Sequence, residues 1–347
     1  MRVLVAPDDF TGTLTAPEAA AAIARGWLRH DPRADLDLAP MSDGGPGFLD
    51  VLEAALGGTR HHLPATGPLG AALTAPVLSA GDGTVYVEAA LACGLALVPP
   101  AERRPMDATT AGVGDLLRGS FDRLAPERVV VGVGGTASTD GGRGCVTALG
   151  GLHRWPPGVP LVAATDVDNP LLGPSGAARM FAQQKGASAS QVEALERALE
   201  QWSAEVGRVD PAAAGTGAGG GLGFGLLALG GTRVSGVQLV LDAVRLAERA
   251  AAADLVLTGE GSFDQTSLLG KVPRGVAWVA QRAARPCVVL AGRVLVGRRE
   301  FAAAGVDAAY AVDDRVGHHQ SGAGSAADRL AALTEQVAAT WSPRPAP

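Results

Sequence analysis

Over the first sixty residues, short apolar runs alternate with segments of helical periodicity. "RVLVAP" (2–7) predicts a brief buried strand. "TAPEAAAAIARGWLRH" (15–30) predicts a helix, with Thr15 as its N-cap and Pro17 in the first turn. "ADLDLAP" (34–40) alternates as a strand, and "GPGFLDVLEAAL" (45–56) predicts a second helix. This β-α-β-α order is the grammar of a mostly parallel α/β sheet. From about residue 60 the pattern changes, as "HHLPATGPLGAALTAPVLSAGDGTVYVEAA" is rich in Gly, Pro and Thr and reads as hairpins turning at "GDG". Helix and strand patterns then resume through "AGVGDLLRGSFDRL", "RVVVGVGG", "PLVAATDVD", "SASQVEALERALEQWSAEV" and "DLVLTGEG". They continue through "GVAWVAQRAAR", "PCVVLAG", "VDAAYAV" and "SAADRLAALTEQVAATW", before a short tail, "SPRPAP".

The expected fold class is therefore α/β with two domains. One is assembled from both chain ends (1–62 and 272–347). The other is inserted (63–271) and carries an antiparallel patch, and the active site is expected in the cleft between them.

Composition removes several classes of function. A net charge of −6 and 4% aromatic residues leave neither the basic face nor the stacking platforms that nucleic acid requires. Cys93, Cys145 and Cys287 are widely spaced, so neither disulfides nor a zinc knuckle is expected. His30, His61, His62, His153, His318 and His319 form no metal-binding spacing. Two aspartates follow a handful of apolar residues at the start, unlike a signal peptide, and no run is long enough to span a membrane. A cytoplasmic protein acting on a small molecule is expected, and nothing in the pattern specifies an oligomeric state. Lys185 and Lys271 are the two lysines among 29 basic residues, and both sit in glycine-flanked motifs where a compact point charge is useful.

Ligands of open α/β sheets collect outside the carboxyl ends of the strands. Carboxylates fall at those ends here: Asp8 and Asp9, Asp43, Asp140, Asp166 and Asp168, then Glu260 and Asp264. Aspartate also caps helices and forms turns, the structural alternative for Asp43 and Asp166 in particular. The spelling D-G-G-x-G occurs twice, at 43–47 and 140–144. Together with "GTGAGGGLGFG" it suggests glycine cradles whose amides approach a phosphate or carboxylate. Carboxylates beside such cradles suit a bridging Mg²⁺, and with two lysines the inventory is that of phosphoryl transfer. The P-loop spelling is absent, G-x-G-x-x-G at 215–220 does not follow a strand, and no G-x-S-x-G occurs.

"APDDFTGTLTA", "SDGGPG", "ACGLALVPP", "GVGGTASTDGGRG", "DVDNPLLGPSGAARMFAQQKGA", "GTGAGGGLGFGLLA" and "TGEGSFDQTSLLGKVPRGVA" occur in that order nearly end to end. In this they resemble the glycerate kinase family of the bacterial glyoxylate pathway. The resemblance implies two α/β domains, one of them flavodoxin-like. It also implies ATP, Mg²⁺ and phosphate transfer to D-glycerate, mostly to the 2-hydroxyl in the bacterial branch. On that reading Lys271, Asp264 and Asp43 are the catalytic candidates. Asp8, Gly134, Gly135, Asp140, Gly141, Gly142, Lys185 and Glu260 bind substrate or nucleotide, and Asp43, Asp140 and Asp166 are the Mg²⁺ candidates. The chain departs from the family at Asp9 (usually Ser), Thr11 (Lys), Pro46 (Glu), Ser262 (Arg) and Thr266 (Gln). Two cations are thereby lost, and another arginine, such as Arg143 or Arg274, is needed in their place. A kinase of a less anionic hydroxylated metabolite and a catalytically silent nucleotide- or anion-binding relative are the alternative readings.

Overall fold

The computed structural model describes residues 1–10, 12–312 and 324–342. Its strands are β1 (Arg2–Val5), β2 (Asp35–Leu38), β3 (Thr59–Thr66), β4 (Ala72–Ser79), β5 (Thr84–Glu88), β6 (Arg128–Gly132), β7 (Leu161–Ala164), β8 (Thr232–Val234), β9 (Leu255–Phe263), β10 (Cys287–Val294) and β11 (Ala308–Ala311). The chain divides into two compact units, Met1–Asp43 with Val237–Pro347, and Gly44–Gly236.

In the first unit the sheet order is β11-β10-β9-β1-β2, with every neighbouring pair parallel. Taking the unit's five strands in chain order, this is the 2-1-3-4-5 arrangement of flavodoxin-like sheets. The order reverses between β1 and β9, the switch point at which such sheets bind their ligands. Helix Ala16–His30 begins as its sequence predicts: Thr15 accepts from the Glu18 amide and Glu18 returns the bond, a capping box followed by a proline in the first turn. Ile23 and Trp27 of that helix, Leu330 and Val337 of helix Ala326–Trp341, and Val3, Leu257 and Leu290 of the strands close one core. The strands read as nearly continuous apolar runs because both faces of a parallel sheet are covered.

The second unit holds a six-stranded sheet, β3-β4-β5-β6-β7-β8. β3, β4 and β5 pair antiparallel, turning at Gly81–Gly83, and the remaining pairs are parallel. Val77, Val87, Val129 and Val131 pack with Leu116, Leu222 and Phe224 of the covering helices. The change in composition near residue 60 suggested boundaries at 62/63 and 271/272, but the units divide elsewhere. Helix Phe48–Leu56 packs on β4 and β5, which places the boundary before it. β9 pairs with β1 and β10, so residues 237–271 belong with the chain ends. The short edge strand β8 carried no recognisable alternation, and "GTGAGGGLGFG" is helical from Ala218, with Gly219, Gly220 and Gly221 in left-handed conformations near its start. Among the described residues no helix is long and apolar enough to cross a membrane. Thr11, His318, His319 and residues 343–347 of the tail lie outside the described residues.

Candidate functional site

At the switch point of the first unit the sequence delivers its acidic residues to one place. β1 runs into Asp8, whose amide donates to the Gly259 carbonyl of β9 at 2.8 Å. The loop after β2 is held by the Met41 amide on the Pro7 carbonyl (2.8 Å), and Asp43 follows at its end. Glu260 lies within β9, and Lys271 is the N-cap residue of helix Val272–Arg282.

Their mutual influence is visible in their proton affinities. Burial, followed by the neighbouring Asp43 and Asp9, raises the Asp8 carboxyl well above the usual range. Burial and Asp43 push Asp9 up to about 6, against the pull of Lys271. Burial raises Glu260 to about 7, opposed by the Ser267 hydroxyl and Lys271 and reinforced by Asp264 and Asp43. One oxygen of Glu260, Oε1, is buried without a partner among the described residues. Buried carboxylates stacked against like charge constitute a strained set that a cation relieves. Asp264 differs. Burial pushes it up, but the Thr266 hydroxyl, the Thr266 and Ser267 amides and Lys271 hold it below the usual carboxylate range. Its Oδ1 accepts from both the amide and the hydroxyl of Thr266, so this carboxylate is built into its own turn.

In the second unit the predicted residues do something else. Asp140 accepts from the Thr110 amide (2.8 Å), the Thr110 hydroxyl (2.9 Å) and the amides of Gly142 and Gly144 (3.1 Å each). It ties the start of helix Arg143–Leu149 to the start of helix Ala111–Leu124, and its oxygens are committed to that task. Three of the four cradle glycines have also given up their amides: Gly134 to the Gly44 carbonyl, Gly141 to the Gly220 carbonyl and Gly142 to Asp140. The absence of side chains serves close packing here. A Cβ on Gly134 would meet Gly45 Cα at 2.6 Å, and one on Gly142 would meet Gly225 Cα at 2.7 Å. Asp166 accepts from the Ser235 hydroxyl (2.6 Å), and Asp168 pairs with Arg233 (2.6 Å).

Lys185 is 5% exposed, with its ammonium 2.5 Å from the Ser138 carbonyl and 3.2 Å from the Thr136 hydroxyl. Burial lowers it to about 8, while Cys93 and Asp140 pull it upward. It therefore pins the 136–138 loop from within rather than presenting a charge to solvent. Beside it the Ser138 and Thr139 hydroxyls are buried and lack partners among the described residues.

The residue that sequence reasoning missed is Glu88, at the end of β5 and 2% exposed. Its two oxygens accept the Gly47 (3.0 Å) and Leu49 (3.1 Å) amides at the start of helix Phe48–Leu56. Burial raises it to about 7 even so. Its only signal was a lone carboxylate at the end of an apolar strand. Both arginines suggested as substitutes for the lost cations have partners of their own within the protein. Arg143 pairs with Glu205 (3.4 Å) and lies over the Trp202 ring, and Arg274 donates to the Leu268 carbonyl (2.9 Å). Among the described residues no group of three or more His, Cys, Asp or Glu side chains is arranged to hold a metal on its own.

Comparison with known proteins gives a consistent answer along the whole chain. The model of the glycerate kinase family matches residues 3–154 and 151–342. An uncharacterised protein of Mycobacterium bovis is 45% identical over 98% of this chain and 91% of its own. The glycerate 2-kinase of Escherichia coli K12 is 34% identical, covering 98% of both chains. The crystal structure of a putative glycerate kinase 2 from Salmonella typhimurium LT2 superposes with a TM-score of 0.76 at 34% identity, again over 98% of each chain.

Proposed function

The chain belongs to the glycerate kinase family, and with it to the phosphotransferases that use an alcohol group as acceptor; from that premise we propose that it transfers the γ-phosphate of ATP to D-glycerate, at the 2-hydroxyl. The observation that carries the reading is the convergence at the β1/β9 switch point of Asp8, Asp9, Asp43 and Glu260 with Lys271. Phosphoryl transfer asks for positioning and charge stabilisation more than for covalent chemistry, and this set supplies both signs of charge.

Asp9, held at about 6, accepts the proton as the glycerate hydroxyl attacks phosphorus, because a base works best near the operating pH. Asp264, drawn below the usual range and engaged by Thr266, is a weaker base and serves to shape the loop before Lys271. Lys271 balances the charge growing on the transferred phosphoryl group and on the departing ADP oxygen. Mg²⁺ asks for only one or two protein carboxylates beside phosphate oxygens, and the unpartnered Glu260 oxygen and the mutually repelling Asp8 and Asp9 suit such an ion. Asp43 and Asp8 would hold it, and when bound it would neutralise charge on the phosphates. Within the second unit the glycine-packed loop has Asp140 and Lys185 as its internal ties.

The test is ADP release by the purified chain with ATP, Mg²⁺ and D-glycerate, with phosphorus NMR of the product. Glycerate-dependent release and a 2-phosphoglycerate resonance are expected, with glycerol a far poorer acceptor. Folded protein that releases no ADP above background with glycerate refutes the proposal.

A further inference from the structure

Within the second unit lies a small cavity that the phosphoryl-transfer chemistry does not use. One side of it is apolar: Val98, Ala108 and Ala137, which pack as a cluster of their own. The other side is cationic. Arg103 and Arg104 reach it from just after the turn Pro100–Glu102, and Lys185 from the end of the turn Gln183–Lys185. Among the described residues no carboxylate lines it. The Arg103 guanidinium also donates to the Gln184 carbonyl at 3.2 Å, so segments about 80 positions apart meet at this point.

The donors around the cavity are not all engaged. Lys185, 5% exposed, gives two of its three N–H groups to the Ser138 carbonyl and the Thr136 hydroxyl and keeps one in reserve. Arg103 Nε is buried without a partner among the described residues. Neither side chain is in an ion pair there, whereas Arg104 faces Asp107 at 3.7 Å on the surface. Asp140 attracts Lys185 electrostatically, but its oxygens are bonded to Thr110, Gly142 and Gly144. Two cationic side chains on one enclosed space repel each other, and a buried charge without a counter-charge is costly. Water would fill the space and relieve neither cost. The cavity volume, about 10 Å³, is room for one occupant near the size of a water molecule. A nucleotide, a phosphate or a three-carbon acid is too large for it. A bare monovalent anion, which accepts from several N–H groups at once, meets both the size and the charge.

We propose that this cavity binds a single monovalent anion of halide size, held between the Arg103 and Lys185 donors against the apolar side. The ion would staple the turn Gln183–Lys185 to the segment that follows Pro100–Glu102, and so steady the loop that Lys185 grips at Thr136 and Ser138. The site stands on the second unit alone and does not depend on the identity of the acceptor or of the nucleotide.

The experiment uses the full-length chain with chloride as the probe, gluconate replacing it at constant ionic strength. Broadening of the chloride NMR line reports binding, and the melting temperature reports its effect on folding. Wild type should broaden the line saturably, with bromide displacing the chloride, and should melt roughly 2–4 °C higher in chloride than in gluconate. R103Q, checked for folding by its melting temperature in gluconate, should weaken chloride binding roughly tenfold or more, and R103K should recover part of the loss. R104Q removes an exposed charge already facing Asp107 and should stay within about threefold of wild type. No saturable broadening, or equal melting in the two anions, overturns the proposal and gives the cavity to water. Broadening unaltered in R103Q, or R104Q as damaging as R103Q, overturns it too, since diffuse surface charge would then hold the ion. Displacement of chloride by D-glycerate or ADP also overturns it and assigns the cavity to the ligands of the reaction. None of these readouts requires turnover, so failure of the kinase reading leaves the anion site standing.

Discussion

Replacing Asp140 by Ala tests whether this carboxylate is a ligand of the reaction or a structural tie. The structure gives it the amides of Thr110, Gly142 and Gly144 and the hydroxyl of Thr110, all within 3.1 Å. A hydrogen bond to a charged group contributes about 1.5–3 kcal/mol net, and bonds sharing one acceptor group do not add. Asp140 is only part-buried, so water replaces some of what is lost, and a net cost of about 3 kcal/mol follows for D140A. For a folding unit of this size each kcal/mol lowers the melting temperature by roughly 2–4 °C, giving a drop of about 6–12 °C. The assay is a melting curve followed by near-ultraviolet circular dichroism, paired with ADP release at a temperature where the variant remains folded. D140A should lose stability by that amount while retaining turnover within about tenfold of wild type per folded molecule, if the carboxylate's task is to hold Thr110, Gly142 and Gly144. Unchanged melting with activity abolished would show that the carboxylate acts on substrate or metal and that its ties are incidental.

Other substitutions probe other links of the argument. Lys271→Met, which keeps the length of the side chain and removes its charge, should lower kcat by roughly 10²–10³ with little change in melting temperature, measured by ADP release. Gly134→Ala forces a Cβ to within 2.6 Å of Gly45 Cα and should destabilise the second unit by about 1–3 kcal/mol in urea unfolding. Glu88, raised to about 7 in the fold from 4.5, ionises earlier in the unfolded chain than in the folded one. Its contribution is therefore present at pH 4.5 and lost as pH rises through 7, by at most about 3 kcal/mol. The melting temperature of wild type should fall across that window more steeply than that of E88Q, and parallel curves would remove Glu88 as the source.

The elements were legible where local chemistry repeats itself. The Thr15 cap with Pro17 behind it, the buried run of β6 and the turn at Gly81–Gly83 are all decided by neighbours in sequence, and each forms where its residues predict. The acids at the ends of β1, β2 and β9 were equally legible, because the alternation of strands and helices fixes where those ends lie. What escaped was decided at long range. Glu88 caps a helix that starts 40 positions earlier, counting from Phe48, and no local spacing signals such a bond. The glycines of 134–142 were read as open to a ligand because composition cannot tell an amide facing solvent from one given to Gly44 or Gly220. Lys185, rare and glycine-flanked, had the look of a ligand-binding cation, yet its ammonium is enclosed by Ser138 and Thr136.

The two copies of D-G-G-x-G show how one spelling comes to have two uses. In each, the glycine four residues after the aspartate has an amide that needs an acceptor where a helix begins. In the second copy that amide, Gly144, goes to the motif's own aspartate, Asp140, at 3.1 Å, and the carboxylate becomes part of the scaffold. In the first copy the equivalent amide, Gly47, goes instead to Glu88, brought in by β5 at 3.0 Å. The capping duty has moved to another strand, and Asp43 acts on Asp8, Asp9 and Glu260 at the switch point of the first unit. Removing Glu88 should thus disturb the loop that follows Asp43, whereas removing Asp140 should loosen a helix and leave the chemistry intact.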